Sequence, residues 1–334
     1  MRTTPALLAA AALALIAPAA ARAAEAPCQV DAALALPAPP AASETIEGRP
    51  TLRHVPKGAK GIVYFFHGTG GSEAFASRTH SRRLLSELIR AGYGYLSAPS
   101  LDRTDVKRWN ISSLDPAANP DVAYMLAVHK ALIARGEITA TTPVFTTGMS
   151  NGGAFANLFA VAAKAQGLPV RAVADYMGPF PAPMRQGDPK ALPPTLLILS
   201  QNDGLVSAEL TGRVAGQLKA GGADIEVHLN AEKRACPATF ALVPGMSAAQ
   251  RETLVKATLP AAGVADANGV RTIFRDRPVI GREEMAQLAT RLPAGAEGRA
   301  IQEALIIAWA GHQMRSDYAK RQVEFFDQAL KARP

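Results

Sequence analysis

Five short apolar runs punctuate the chain: Ile62–Phe66 and residues 93–98, 144–147, 170–174 and 195–199. None alternates polar with apolar positions, so each predicts a strand buried on both faces, as in a parallel sheet. Between them lie stretches with apolar residues at helical spacing, clearest at 82–90, 120–135 and 151–166. Asn119-Pro120 opens the second of these with proline in its first turn. A further helix over 207–220 and a strand over 225–229 follow; on that strand His228 alternates with Glu226 and Asn230, the mark of a solvated face. The alternation predicts an α/β protein with a doubly wound, mainly parallel sheet. Residues 24–50, rich in Ala and Pro, predict a flexible N-terminal arm, which places the folded domain at 51–334. About 75 residues separate the strand 225–229 from Ala304, far more than a connection needs. Helical patterns at 248–258 and 282–291, split by Pro- and Gly-rich turns, predict a helical cap insertion over about 231–300.

The strand 144–147 runs into Gly148-Met149-Ser150-Asn151-Gly152, followed by the helical stretch 151–166. A G-x-S-x-G serine sits on a sharp strand-to-helix turn, with its hydroxyl clear of the backbone. Side chains at 148 and 152 would crowd that turn. With 27 glycines in 334 residues the five letters alone carry little, so the flanking strand and helix carry the reading. The alternative is a glycine-rich connection whose serine is inert. Upstream, Ile62–Phe66 leads into His67-Gly68-Thr69-Gly70-Gly71-Ser72, a turn able to aim backbone N–H groups at an anion. Acyl transfer creates such an anion, and donors already in place lower the barrier. A nucleotide-phosphate loop is excluded: Glu73 stands where G-x-G-x-x-G needs glycine, and no Gly-Lys-Ser/Thr follows.

A nucleophilic serine needs a base and a group to orient that base. Asp203, in the loop leaving strand 195–199, lies at the carboxyl end of a parallel strand, where open α/β sheets put functional groups. Asp175, at the end of 170–174, is its rival, and an Asn-Asp-Gly turn residue is the plainer reading of Asp203. Of six histidines, His312 alone follows both serine and aspartate and sits in a glycine-bordered loop after the apolar run 304–310. His129 falls within a helical pattern, and His67 precedes the anion-facing turn and is expected to shape it. Trp109, Trp309 and Met314 lie close in sequence to these loops and are candidates for a substrate wall, with ordinary packing the even alternative.

The first 23 residues read as a secretory leader: Met1-Arg2, an apolar run from Ala6 to Ala21, then the small-x-small site Ala21-Arg22-Ala23. The run is short, alanine-rich and interrupted by Pro18, which predicts cleavage and no stable membrane anchor. The expected location is secreted or periplasmic. Loss of Arg2 and Arg22 takes the net charge from +8 to about +6. That charge is dispersed, and Arg82-Arg83 and Lys233-Arg234 are short pairs without interleaved aromatics, so no nucleic-acid partner is expected. Two cysteines, Cys28 and Cys236, in an oxidising compartment predict one disulfide tying the arm to the base of the cap, with two buried thiols as the alternative. No HExxH run or Cys/His cluster supports a metal site, and no cofactor is implied.

On His67-Gly68-Thr69-Gly70-Gly71, Gly148 to Gly153, Asp203 with Val206 three residues on, and Gly311-His312, the chain resembles the α/β-hydrolase superfamily over about residues 51–330. The order Ser150, Asp203, His312 is the order of that superfamily. The resemblance implies a catalytic triad of these three, with backbone N–H groups of Thr69 and Asn151 as the oxyanion hole. The Gly-Met-Ser-Asn-Gly-Gly elbow and the leader are similar to those of secreted polyhydroxybutyrate depolymerases and feruloyl esterases. Oxidised poly(vinyl alcohol) hydrolases, which cleave β-diketones, are neighbours of that group. The expected activity is hydrolysis of a small or polymeric carboxylic ester. A β-diketone C–C hydrolase and a non-catalytic binding protein on the same scaffold are the alternatives. The chain departs from a compact hydrolase in the long gap between Asp203 and His312.

Overall fold

The structure, a computed structural model, describes residues 41–104 and 106–332. Eight strands form one sheet: β1 (Ala42–Ile46), β2 (Arg49–His54), β3 (Ile62–Phe66), β4 (Gly94–Ala98), β5 (Val144–Met149), β6 (Val170–Tyr176), β7 (Thr195–Ser200) and β8 (Ile225–Asn230). Their spatial order is β1-β2-β4-β3-β5-β6-β7-β8. The strands from β4 across to β8 are parallel, while β1 pairs antiparallel with β2, and β2 with β4. All five side chains of β3 are buried, and period two divides them between two cores. Ile62, Tyr64 and Phe66 join one cluster, and Val63 and Phe65 join the other.

Helices cover both faces. α1 (Thr79–Arg90) lies on the Val63 side, and α2 (Pro120–Ala134) and α3 (Asn151–Ala165) on the Tyr64 side. Asn119 caps α2 by accepting a hydrogen bond from Val122 N–H at 3.3 Å, with Pro120 next in line. The short α4 (Ala182–Gln186) precedes β7, and α5 (Ala208–Ala220) links β7 to β8. This mainly parallel, doubly wound sheet has the α/β-hydrolase architecture.

Residues after β8 leave the sheet. α6 (Ala248–Thr253) continues through a π-helical turn, Leu254–Thr258, into α7 (Leu259–Ala261). α8 (Arg282–Ala289) and α9 (Gly295–Ala308) follow. They share a separate apolar cluster that includes Phe240, Leu259, Ile280, Leu305 and Trp309. α9 crosses the boundary expected at residue 300 and carries the chain to His312. α10 (Ala319–Lys331) returns to the sheet, with Phe325 and Phe326 in the Val63-side cluster.

The arm expected over 24–50 is corrected from residue 42 onward, where it forms the β1–β2 hairpin. Glu47 and Gly48 turn it with φ of 50° and 72°, the left-handed pair that suits a two-residue hairpin. The domain boundary at 51 therefore falls inside a strand. The leader over 1–23 lies outside the described residues. Among the described residues no helix is long and apolar enough to cross a membrane.

Candidate active site

The spatial order β4-β3-β5 places β3 between the other two, so the connections leaving β3 and β5 depart in opposite directions. Such a switch point opens a crevice at the carboxyl ends of the strands, where ligands bind in open α/β sheets. Ser150 and the His67–Ser72 turn are the two loops at that crevice.

Ser150 joins β5 to α3 with φ of 59° and ψ of −126°, a conformation L-residues avoid. Its N–H donates to Tyr176 O at 2.8 Å, and its carbonyl accepts from Ala154 N–H at 2.9 Å. A methyl on Gly148 would collide with Gly152 O, and one on Gly152 with the carbonyls of Phe66 and His67. Backbone crossing backbone leaves no room for Cβ at either position, which is why both flanking letters are glycine. A methyl on Gly68 would lie 3.4 Å from Ser150 Cβ, so the β3 turn lies directly against the serine.

That turn is held from within. His67 Nδ1–H donates to Gly68 O at 2.7 Å, and Nε2 accepts from Ser100 N–H at 3.0 Å. Both ring nitrogens are used, and burial presses the His67 pKa down to about 4. A neutral, doubly bonded imidazole shapes the turn and moves no protons at neutral pH. Gly70, at φ of 81°, donates to Val106 O at 3.0 Å. Thr69 stands exposed between two glycines of the turn. Asn151, first residue of α3, has an N–H without an intrahelical acceptor.

Asp203 and His312 are 109 residues apart and meet: His312 Nδ1–H donates to Asp203 Oδ2 at 2.6 Å, with both side chains buried. The other carboxylate oxygen accepts from Leu205 and Val206 N–H, both at 2.8 Å. One oxygen fixes the carboxylate and the other fixes the ring. Asp175 makes different bonds: Oδ1 accepts from Gly178 N–H at 2.7 Å, and Oδ2 from Asn157 Nδ2 at 2.6 Å. Wholly buried beneath the first turn of α3, its carboxyl is pushed well above the usual carboxylate range by desolvation. A methyl on Gly153 or Gly178 would strike Asp175 Oδ1, which explains the glycine after the elbow.

The substrate-wall candidates are corrected. Trp109 is 1% exposed; its indole stacks on Phe155 at 4.5 Å and donates to His67 O at 3.0 Å. Trp309 is fully buried in the insertion's cluster, and Met314 lies in the core on the Val63 side. The loop between β4 and α2 folds its aromatic residue inward, where a sequence shows only its nearness to the candidate loops. Trp109 has a structural task in addition: its N–H donates to Asn151 Oδ1 at 2.7 Å and its carbonyl accepts from Asn151 Nδ2 at 3.1 Å. This clamp ties the loop to the residue after Ser150. Asp121 holds the same loop from α2, accepting from Leu101 and Asn110 N–H at 2.7 Å each. Neither side-chain role has a signal in the sequence beyond an amide or a carboxylate at a helix start.

Among the described residues no group of three or more His, Cys, Asp and Glu is placed to hold a metal ion. Cys236 is disulfide-bonded; Cys28, the other half of the expected bridge, lies outside the described residues.

No protein-family model and no curated protein matches the chain. Among solved structures the chain is similar to an esterase from Pyrococcus furiosus at 16% identity, covering 57% of this chain and 82% of that one with a TM-score of 0.42. A carboxylesterase from Mesorhizobium loti is similar at 16% identity, with 57% and 89% covered and a TM-score of 0.42. For a hormone-sensitive lipase from a metagenome library the identity is 17%, the coverage 57% and 73%, and the TM-score 0.42. Similarity this low leaves the fold assignment to the strand order and the elbow of this chain.

Proposed function

We propose that this chain is a serine hydrolase of carboxylic esters, working through an acyl-enzyme on Ser150. The observation that carries the reading is the 2.6 Å contact between His312 Nδ1 and Asp203 Oδ2, with Asp203 after β7 and Ser150 in its strained elbow after β5, both at carboxyl ends of parallel strands. With Nδ1–H committed to the carboxylate, Nε2 is the nitrogen left to accept the serine proton. Ser150 Oγ attacks the ester carbonyl carbon as His312 takes that proton. The tetrahedral oxyanion is met by the N–H groups of Thr69 and Asn151, the one exposed on the β3 turn and the other at a helix N-terminus. Collapse expels the alcohol, which leaves with the proton from His312. Water, deprotonated by the same nitrogen, then releases the acid and frees the serine.

The elbow Gly-Met-Ser-Asn-Gly-Gly and the leader over 1–23 support export and a place among secreted polyester- or feruloyl-ester-cleaving enzymes. The cap over about 231–300, in this reading, bounds the substrate cleft. One experiment tests the activity: treat the purified chain with a fluorophosphonate and map the adduct by mass spectrometry, then compare p-nitrophenyl acyl esters with a soluble β-diketone. Labelling of Ser150 with ester turnover supports the reading. Turnover of the diketone alone would move the chain to C–C hydrolysis, and no labelling would make it a binding protein.

A further inference from the structure

The His312–Asp203 contact joins two loops that share no strand, so something must hold those loops in register. Catalytic groups need placement within about 0.5 Å, and that placement comes from the residues behind them. Behind Asp203 stands Asn202, whose side chain is buried. Its backbone N–H donates to Ala310 O at 2.9 Å, and its Nδ2 donates to Trp309 O, also at 2.9 Å. Two bonds from the residue before the acid thus grip the two carbonyls just ahead of Gly311-His312.

The second Nδ2 hydrogen goes to Glu232 Oε2 at 2.8 Å. Glu232 is itself forked by Arg271, Nε to Oε1 at 2.9 Å and Nη2 to Oε2 at 2.7 Å. Arg271 is buried, lies 5.8 Å from the Trp309 ring centre, and reaches Pro278 O at 3.4 Å. Two residues on, Ile280 N–H donates to Asn202 O at 2.7 Å and Ile280 O accepts from Gly204 N–H at 3.1 Å, a short parallel bridge flanking Asp203. The circuit closes: Asn202 to Glu232, to Arg271, to Pro278 and Ile280, and back to Asn202 on both sides of the acid. Most of it belongs to the insertion after β8.

From this closed circuit we infer that Arg271 and Glu232 are positioning residues for the Asp203–His312 pair, and that the insertion is a structural part of the active site. The inference rests on the triad reading above. Arg271 suits the task because its planar fork fixes the carboxylate's orientation as well as its position, and the oriented carboxylate fixes the Asn202 amide. With the amide fixed, Trp309 O and the chain leading to His312 have one place to sit.

The test uses the full chain with Arg271→Met, Arg271→Lys and Glu232→Gln. Two readouts are recorded: the low-field proton resonance of the His312–Asp203 hydrogen bond, and kcat and KM on a p-nitrophenyl ester. Arg271→Met and Glu232→Gln should each lower kcat roughly 10- to 100-fold, by analogy with the loss of groups that orient metal-ligating side chains. KM should stay within about threefold, since the groups lost do not face substrate. The resonance should broaden or move in both variants. Arg271→Lys, which keeps the charge and loses the fork, should restore part of each effect. If Arg271→Met fails to fold, Glu232→Gln, with the same side-chain shape, carries both readouts. A lowered melting temperature with an unmoved resonance and kcat within about twofold of wild type would overturn the inference, reducing the circuit to a brace for the insertion. Absence of ester turnover in the wild type sinks the hydrolase reading separately, because the resonance still reports whether the pair is held.

Discussion

Ser150 is held in a backbone region that costs about 1–3 kcal/mol for a residue other than glycine. Alanine has the same Cβ and suffers the same strain, so Ser150→Ala should melt close to wild type while ester turnover falls by several orders of magnitude. Turnover near wild type in that variant would remove serine from the mechanism. The two aspartates separate as cleanly. Asp203→Asn leaves His312 facing an amide and favours the wrong tautomer, with an expected loss of roughly 10⁴-fold in turnover. Asp175→Asn should cost far less, because Asp175 bonds Gly178 and Asn157 and makes no bond to His312. Reversed losses in a side-by-side assay would transfer the orienting role to Asp175. The same variant has a signature in stability. Burial raises the folded-state pKa of Asp175 above its unfolded value near 4. Within that window the folded chain keeps a proton that the unfolded chain has released, so stability falls as pH rises. Asp175→Asn has no such proton, and Asn157 Oδ1, buried without a partner, can accept from the new amide once it turns over. Urea denaturation from about pH 4 upward should show the decline in wild type and a flatter curve in the variant; parallel curves would mean that Asp175 stays ionised.

At the scale of elements, the backbone crossing at the elbow makes its own prediction. Gly152→Ala puts a methyl into the carbonyls of Phe66, the last residue of β3, and of His67, the buried residue after it, neither of which can retreat. The expected cost is about 3 kcal/mol or more, at the upper end for overpacking, visible as a large drop in melting temperature or loss of soluble protein. Wild-type stability there would mean that the turn is looser than its geometry. Elements of this kind were legible because their signals are local. Ile62–Phe66 is five apolar residues in a row, and Gly148 to Gly152 is bracketed by a strand and a helix. The β1–β2 hairpin was not, because four of the five β1 residues are exposed and only Ile46 is buried. A strand on a sheet edge with one inward residue leaves no alternation to read. The aromatic residues were misassigned for a related reason: nearness in sequence to Ser150 or His312 says nothing of which way an indole turns. The Asn202, Glu232 and Arg271 circuit was invisible because the side-chain bonds of Asn202 to Glu232 and Trp309, and of Arg271 to Glu232, join residues 30 to 107 positions apart.

Across the whole molecule, the insertion touches the sheet through few chain connections: it leaves after β8 and returns through α9. Lys233 N–H donates to Ala308 O at 2.7 Å, closing the insertion at its base. Cys236 stands three residues further on, just ahead of the 3₁₀ turn Pro237–Phe240, with its N–H donating to Thr239 Oγ1 at 3.0 Å. A covalent link from this base to Cys28 would close a loop of roughly 200 residues that contains all eight strands, and the chain-entropy view allows up to about 5 kcal/mol for it. Because the bridge acts mainly on the unfolded chain, its loss should lower the melting temperature without changing the triad, so kcat well below melting should hold. Thiol titration of denatured, unreduced protein from the periplasm or medium should find no free thiol, and reduction should release two. Cys28→Ser and Cys236→Ser should each lower the melting temperature by the same amount as the double variant, since either one breaks the same link. Two free thiols before reduction, or single-variant losses that add, would refute the bridge and leave Cys236 as a packing residue at the foot of the insertion.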